Sequence, residues 1–111
     1  LYTTRKELIF PSSFESIRFG NFLAEFIANL IAKISDQLGY IISKGGITTN
    51  TIISNGLQLK VVDLKGQIKP GLSVVSSVQK DKISLPIITF PGNLGDQSSL
   101  LTAWKIMEGF R

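Results

Sequence analysis

Apolar side chains recur at three- and four-residue steps through the first third of the chain, the spacing of one face of an α-helix. Ser12 and Glu15 precede this stretch at capping-box spacing, and Gly39 follows it as a stop signal. The pattern predicts an amphipathic helix of about six turns, with Gly20 as a weak point where the helix can begin. Its apolar face is more typical of a core than of a cofactor site, and comprises Phe19, Phe22, Leu23, Phe26, Ile27, Leu30, Ile31, Ile34 and Leu38.

Short runs of apolar and β-branched residues predict strands on both sides of this helix. Residues 1–4 read as one strand and residues 40–43 as the next, which predicts a right-handed crossover with the two strands parallel. Further β-rich segments are predicted at residues 57–68, 72–78 and 86–90, with a turn at Pro70 and Gly71 and a hairpin loop at residues 79–82. The middle of the chain therefore reads as a β-meander.

Two more helical segments complete the pattern. Residues 48–55 predict a short helical or irregular stretch that Gly56 closes. Asp96 stands at an N-cap position before the last helix, which Gly109 ends. Leu100, Leu101, Trp104 and Met107 fall on one face of that helix. The sequence thus predicts an α/β fold, a three-layer-like domain with a mostly parallel central sheet, flanking helices and a β-hairpin or meander insertion.

Composition supports one compact domain over residues 1–111, since 43% of the residues are hydrophobic and 18% are charged. The chain begins at Leu1 inside a predicted strand, so we expect it to be a piece of a longer protein. It has no cysteine or histidine, which excludes disulfides, thiolate nucleophiles and imidazole bases, and its acidic residues form no visible metal-ligand cluster. The net charge of +4 comes from scattered lysines and arginines, which argues against nucleic-acid binding.

No apolar stretch of the sequence approaches the ~20 residues that a membrane span requires. No basic leader precedes an apolar run with a cleavage site. We therefore expect a soluble, cytoplasmic protein without a membrane partner.

Two glycine loops follow predicted strands. One is SKGGITTN at residues 43–50, where Lys44 adds a charge and Thr48, Thr49 and Asn50 add hydrogen-bond donors; the other is PGNLGD at residues 91–96. Phosphates bind where glycines expose backbone N–H groups at a helix start, and ligands of α/β sheets gather at the carboxyl ends of strands. Ordinary βα turns explain the same residues, and Asp96 repels an anion. Neither loop has P-loop or dinucleotide-binding spacing, so local sequence leaves both interpretations open.

Four ordered blocks carry a family resemblance: TTR near the start, ISKGGITTN, LKGQIKPGLSV and ITFPGNLGD. In this order and spacing they resemble the C-terminal nucleotide-binding domain of the four-carbon acid sugar kinase family, over nearly the whole chain. The resemblance implies an ATP-dependent, Mg²⁺-requiring kinase of carbohydrate metabolism. In it, an N-terminal domain binds the sugar acid and holds most catalytic residues, while the half represented here binds the nucleotide.

The resemblance also implies site residues. Gly45, Gly46, Ile47 and Thr48 would wrap ATP, and Gly92, Asn93 and Gly95 of the second loop would lie against it. Many family members carry Lys-Ser-Gly in the second loop, where this chain has Phe90, Pro91 and Gly92. The catalytic residues are not identified, and this segment alone is not expected to be active. Two alternatives remain: a nucleotide- or small-ligand-binding regulatory module without kinase activity, and an interaction domain that docks its own chain or forms a homodimer.

Overall fold

The computed structural model describes residues 8–77, 85–92 and 98–109. The elements in chain order are helix α1 (Ser13–Ile34), a 3₁₀ turn (Ser35–Gln37), strand β1 (Ile41–Lys44), helix α2 (Gly46–Thr51), a π-helical turn (Ile52–Gly56), strands β2 (Val62–Lys69), β3 (Leu72–Ser77) and β4 (Ile87–Phe90), and helix α3 (Ser99–Gly109). The predictions for a strand at residues 1–4, a hairpin loop at residues 79–82 and a cap at Asp96 lie outside the described residues.

The strands form one sheet in the order β1-β4-β3-β2. Strands β1 and β4 are parallel, with Ile41 beside Ile87 and Lys44 beside Phe90. Strand β3 is antiparallel to both β4 and β2. The α/β class is confirmed. A mostly parallel sheet is not, because among the described strands only one of three pairings is parallel. The β-rich middle of the chain explains the difference, since short turns such as Pro70-Gly71 can join only antiparallel strands.

Each face of the sheet carries its own apolar cluster, because successive strand residues point to opposite faces. Helix α1 and the π-helical turn pack on one face, where the buried residues are Ala28, Ile41, Ile52, Val75, Leu85 and Ile87. Helix α3 packs on the other, where they are Leu72, Ile88, Phe90, Ala103 and Met107. The described part of the molecule is therefore a sheet between two helical layers.

Helix α1 begins where its cap predicts. Ser12 has an extended backbone, and its side-chain oxygen accepts a hydrogen bond of 3.2 Å from the backbone N–H of Glu15. The helix continues through Gly20 without interruption and ends at Ile34, so Gly20 does not mark its beginning. Within the described residues, no helix combines the length and the apolar character that crossing a membrane requires.

The side of each long helix that faces the core differs in part from the prediction. Helix α1 buries Ala24 and Ala28, whereas the side chains of Phe22 and Phe26 are 62% and 58% exposed. Helix α3 likewise buries Ser99, Ala103 and Met107. It leaves Leu100, Leu101 and Trp104 about half exposed. The predicted core face of α1 is therefore wrong for its phenylalanines, whereas Ile27, Ile31 and Leu38 from the same prediction pack against the core. Of the face predicted on α3 only Met107 is buried.

Close approach of the backbones explains why small residues take the buried positions. Gly56 lies so near α1 that a Cβ atom placed on it would be 2.6 Å from the backbone oxygen of Ala28. At that separation only a glycine fits on one helix and a small side chain on the other. Phenylalanine is more hydrophobic than alanine, but the space between α1 and the π-helical turn admits only a small side chain such as that of Ala28.

Candidate functional site

The two glycine loops meet at one edge of the sheet. Since β1 and β4 are parallel neighbours, the loops that follow them leave the sheet at the same side. The backbone N–H of Gly45 donates a 2.9 Å hydrogen bond to the carbonyl of Phe90. A Cβ atom on Gly92 would lie 3.9 Å from the Cα of Gly45. The loops are thus in contact, although Gly45 and Phe90 are 45 positions apart in the sequence.

The first loop has a backbone conformation that favours glycine. Gly45 has φ 96° and ψ 132°, and it precedes the first residue of α2, a φ that side-chain-bearing residues rarely adopt. Gly46 begins α2, and a Cβ atom on either glycine would meet no other atom within 4 Å. Gly45 is therefore needed for the shape of the turn, while the backbone at both glycines borders open space.

A cavity of about 430 Å³ lies between the loops. Its lining comprises Gly45, Gly46, Thr49, Asn50, Ile53, Thr89, Phe90, Pro91 and Gly92. This volume falls in the range of small-molecule sites. Among the residues that the structure describes, none in this lining carries a carboxylate.

A hydrogen bond between two hydroxyl groups holds one wall of the cavity in place. Thr49 Oγ1 donates a 2.8 Å hydrogen bond to Ser43 Oγ, and both residues are buried. The bond ties α2 to the end of β1, so the first loop is held at both of its ends. The sequence suggested that the Thr49 hydroxyl could donate a hydrogen bond to a ligand, but in the structure it donates to Ser43 Oγ.

A lysine from the first loop reaches the second. The Nζ atom of Lys44 lies 4.4 Å from the ring centroid of Phe90, a cation–π arrangement, and 3.5 Å from the carbonyl oxygen of Pro91. Lys44 is exposed, whereas Phe90 is only 3% exposed and belongs to the core. Positive charge is therefore present beside Pro91, although the second loop itself carries no lysine there.

The structure brings together three of the predicted site residues: Gly45, Gly46 and Gly92 line the cavity. Ile47 and Thr48 lie on α2 next to it without forming part of its lining, and Ile47 is 70% exposed. Asn93 and Gly95 lie outside the described residues. The binding roles of all seven positions remain predictions.

The sequence reading did not assign a role in the lining to Ile53 or Thr89. Ile53 follows Thr49 at a four-residue helical step, so it shares that face of the α2 and π-helical segment. Thr89 precedes Phe90 at the end of β4. The four-residue spacing from Thr49 could have predicted that Ile53 lines the cavity. The position of Thr89 in the lining could not be predicted without knowing that β1 and β4 are adjacent.

The fold resembles that of two solved structures, which are two crystal forms of a domain of unknown function (DUF1537) from Bordetella bronchiseptica with bound citrate, a domain-swapped dimer. One is 20% identical, with a TM-score of 0.65 over 76% of this chain. The other is 19% identical, with a TM-score of 0.69 over 78% of this chain. At this identity the likeness shows the fold alone. The chain matches 22% of the length of each of those chains.

No curated protein shows significant sequence similarity to the chain. A family model described as "Nucleotide-binding C-terminal domain" matches residues 1–100, which include both glycine loops. The match spans most of the 111 residues. The chain therefore belongs to the family of nucleotide-binding C-terminal domains.

Proposed function

We propose that the chain is the ATP-binding C-terminal half of a sugar-acid kinase, which transfers a phosphoryl group from ATP to a four-carbon acid sugar or a related substrate. The observation that carries the proposal is the contact between the two glycine loops at the carboxyl ends of β1 and β4, with Gly45 and Gly46 bordering an open cavity. Membership of a nucleotide-binding family supports the same assignment.

The loop around Gly45 has the properties that a triphosphate needs. Gly45 and Gly46 leave the space beside their backbone free, so phosphate oxygens can approach it closely. Lys44 places an ammonium group at the junction of the two loops, where it would offset phosphate charge. The described residues of the lining carry no carboxylate, so these residues do not repel an anion.

The other groups that the reaction requires would come from the N-terminal domain and from the bound nucleotide with its cation. Phosphoryl transfer depends on positioning, on cations and on a carboxylate that accepts the substrate hydroxyl proton. Among the described strand residues the acidic one is Asp63, on edge strand β2. Its carboxylate lies 3.5 Å from the Lys65 ammonium. Strand β2 is two strands away from β4, whose end borders the cavity. Mg²⁺ would enter with ATP, bound mainly to its phosphates.

Replacing Gly46 by leucine tests the proposed cradle. A Cβ atom at Gly46 clashes with nothing, so the fold should survive, but the longer side chain would project into the space assigned to phosphates. We expect calorimetric titration with ATP and Mg²⁺ to show affinity at least ~10-fold weaker than wild type, a loss of about 1.4 kcal/mol.

The matched control is Gly20→Leu on α1. Gly20 also has no atom within 4 Å of an added Cβ, and it lies outside the cavity, so its variant should bind ATP like the wild type. Undetectable nucleotide binding in the complete wild-type protein, or unchanged affinity in Gly46→Leu, would count against the proposal.

Replacing Lys44 by methionine tests the charge. A charge-assisted hydrogen bond contributes about 1.5–3 kcal/mol, so we expect ATP affinity to fall by ~10-fold or more. Adenosine, which has no phosphate, should bind both forms equally. A similar loss for adenosine and ATP would show that Lys44 shapes the site and does not meet the phosphates.

A second candidate function is a nucleotide-binding regulatory module without kinase activity. The burial of Phe90 in the α3-side cluster favours it, because this side chain serves the core at a position where many kinase relatives carry a lysine. A complete protein that binds ATP but phosphorylates none of a panel of sugar acids would support this candidate. Phosphorylation that depends on Gly46 would exclude it.

Exposed apolar side chains along α1 support a docking role toward the N-terminal domain. Phe22 and Phe26 lie one turn apart, Phe14 and Ile17 extend the apolar surface toward the start of the helix, and each is more than half exposed. Four large apolar side chains on one helix form a surface of the kind that a partner covers. We propose the N-terminal domain of the same protein as that partner, while a second copy is the alternative, since the Bordetella bronchiseptica structures are domain-swapped dimers.

Phe22→Ser in the complete protein separates these partners. Under the domain-docking proposal it lowers the melting temperature while light scattering reports an unchanged mass. Dissociation of a dimer would instead identify a second copy as the partner. Leu101→Ser on α3, which is also half exposed, is the control for general loss of apolar surface.

A further inference from the structure

Four residues between positions 46 and 53 line the cavity between the glycine loops at helical spacing. They are Gly46, Thr49, Asn50 and Ile53. Because their steps are three, one and three residues, they form one face of α2 and the π-helical turn. At a rise of about 1.5 Å per residue, this face extends about 10 Å from Gly46 to Ile53. The lining therefore runs along α2 from the glycine junction at one end to Ile53 at the other.

The two ends of this face differ in chemistry. At the glycine end the backbone of Gly45 and Gly46 borders open space, and the Lys44 ammonium lies beside it; both features suit phosphates. The other end presents Ile53, a half-buried side chain that packs against the α1-side core. A nucleotide has the same polarity along its length, because it joins a polyanion to a flat aromatic base. With the triphosphate at the glycine end, the base lies toward Ile53.

Asn50 supplies an available polar side chain along this face. The polar side chains of the described lining are those of Thr49, Asn50 and Thr89. Thr49 and Thr89 each donate their hydroxyl proton to another residue of the protein. The Asn50 Oδ1 atom accepts from the Ser54 hydroxyl at 3.5 Å, but within the described residues the two amide N–H donors of Asn50 have no partner. Because Asn50 is exposed, a ligand in the cavity can reach this amide.

We propose that Asn50 recognises the adenine base of the nucleotide, an inference that rests on the proposed ATP-binding function. An asparagine amide presents an acceptor and a donor side by side, which match the N6 amino group and the N7 atom of adenine. Guanine and hypoxanthine carry O6 in place of that amino group, so the same edge offers two acceptors and the Asn50 Oδ1 atom loses its hydrogen bond. Ile53 provides an apolar contact for the face of the ring. Asn50 therefore selects ATP over nucleotides with a 6-oxo base.

Inosine triphosphate is the matched probe, because its base differs from adenine only at the 6-position and the adjoining N1. We would titrate the complete protein by calorimetry with ATP, inosine triphosphate, 2′-deoxy-ATP and inorganic tripolyphosphate, each with Mg²⁺. One bidentate contact discriminates between bases by about 5- to 150-fold. Since Asn50 is exposed, we expect wild-type protein to prefer ATP over inosine triphosphate by at least about 5-fold.

Asn50→Ala should abolish this preference by weakening ATP, while tripolyphosphate binds as it does to the wild type. Alanine is a better helix former than asparagine, so α2 should stay folded. Asn55→Ala is the control, because Asn55 is also exposed and lies in the adjoining π-helical turn outside the lining. This variant should keep the wild-type preference for ATP.

The outcomes separate this inference from the proposed function. Equal binding of ATP and inosine triphosphate by the wild type, or a preference that persists in Asn50→Ala, overturns the role of Asn50 and leaves ATP binding established. An equal loss for ATP and tripolyphosphate in Asn50→Ala would assign the amide to the phosphates, and a loss for ATP without one for 2′-deoxy-ATP would assign it to the ribose; either result overturns the inference. Absence of binding by all four compounds would remove the proposed function, and this inference with it.

Discussion

Gly56→Ala should destabilise the domain by forcing α1 away from the π-helical turn. The added Cβ would lie 2.6 Å from the backbone oxygen of Ala28, 3.2 Å from its carbonyl carbon and 3.3 Å from its Cα. All three contacts are backbone atoms, so no side-chain rotation can relieve them. Because Ala28 is fully buried, α1 has to move or the turn has to deform.

The magnitude follows from the distances. Real Cβ atoms essentially never approach another heavy atom closer than 3.0 Å, so the backbones of Gly56 and Ala28 must separate by at least about 0.4 Å. Overpacking of this kind costs about 1–3 kcal/mol. For a chain of 111 residues, each kcal/mol lowers the melting temperature by about 4 °C. We therefore expect a decrease of about 4–12 °C.

Gly20→Ala makes the same chemical change with the opposite expected sign. Gly20 lies in the interior of α1 and its Cβ direction is open, so alanine should stabilise the helix by about 0.5–1 kcal/mol. Both variants can be compared by thermal and urea unfolding followed by circular dichroism. If Gly56→Ala unfolds at or above the wild-type temperature while Gly20→Ala behaves as expected, the inferred close packing of α1 on the turn is wrong.

Three further predictions concern the first loop and strand β3. Gly45→Ala should lower the free energy of unfolding by about 1–3 kcal/mol because of its positive φ, measured by urea unfolding; an unchanged midpoint would refute the required conformation. Thr49→Val should cost about 1–3 kcal/mol by leaving the buried Ser43 hydroxyl unpaired, and a double-mutant cycle with Ser43→Ala should show coupling; additivity would deny it. Ser76→Ala should raise stability by about 1 kcal/mol in ligand-free protein, since it removes a buried unsatisfied hydroxyl; a loss instead would reveal a partner.

Local sequence was sufficient wherever a feature depends on near neighbours along the chain. Ser12 and Glu15 set the start of α1 through one hydrogen bond across its first turn. Pro70-Gly71 set the turn between β2 and β3, with Gly71 at φ 84°. The glycines of the first loop identified its turn. These signals work because each hydrogen bond or φ preference involves residues a few positions apart.

The family resemblance made a prediction of function possible, because four sequence blocks in a fixed order are more specific than a single Gly-Gly pair. It predicted a nucleotide-binding domain, and the match over residues 1–100 shows that family. The binding of ATP stays a proposal that the Gly46 and Lys44 variants test. The phosphorylation of a sugar acid stays a proposal that the panel of sugar acids tests.

Only the tertiary structure decided which helix faces are buried and which loops meet. The sequence pattern assigns phenylalanines to the buried side of α1, but that side carries Ala24 and Ala28 instead, and at Ala28 the close approach of Gly56 leaves room only for a small residue. Likewise, the contact between Gly45 and Phe90 exists because β1 and β4 are adjacent in the sheet. Burial and adjacency depend on distances between segments far apart in the sequence, and periodicity within one segment carries no information about them.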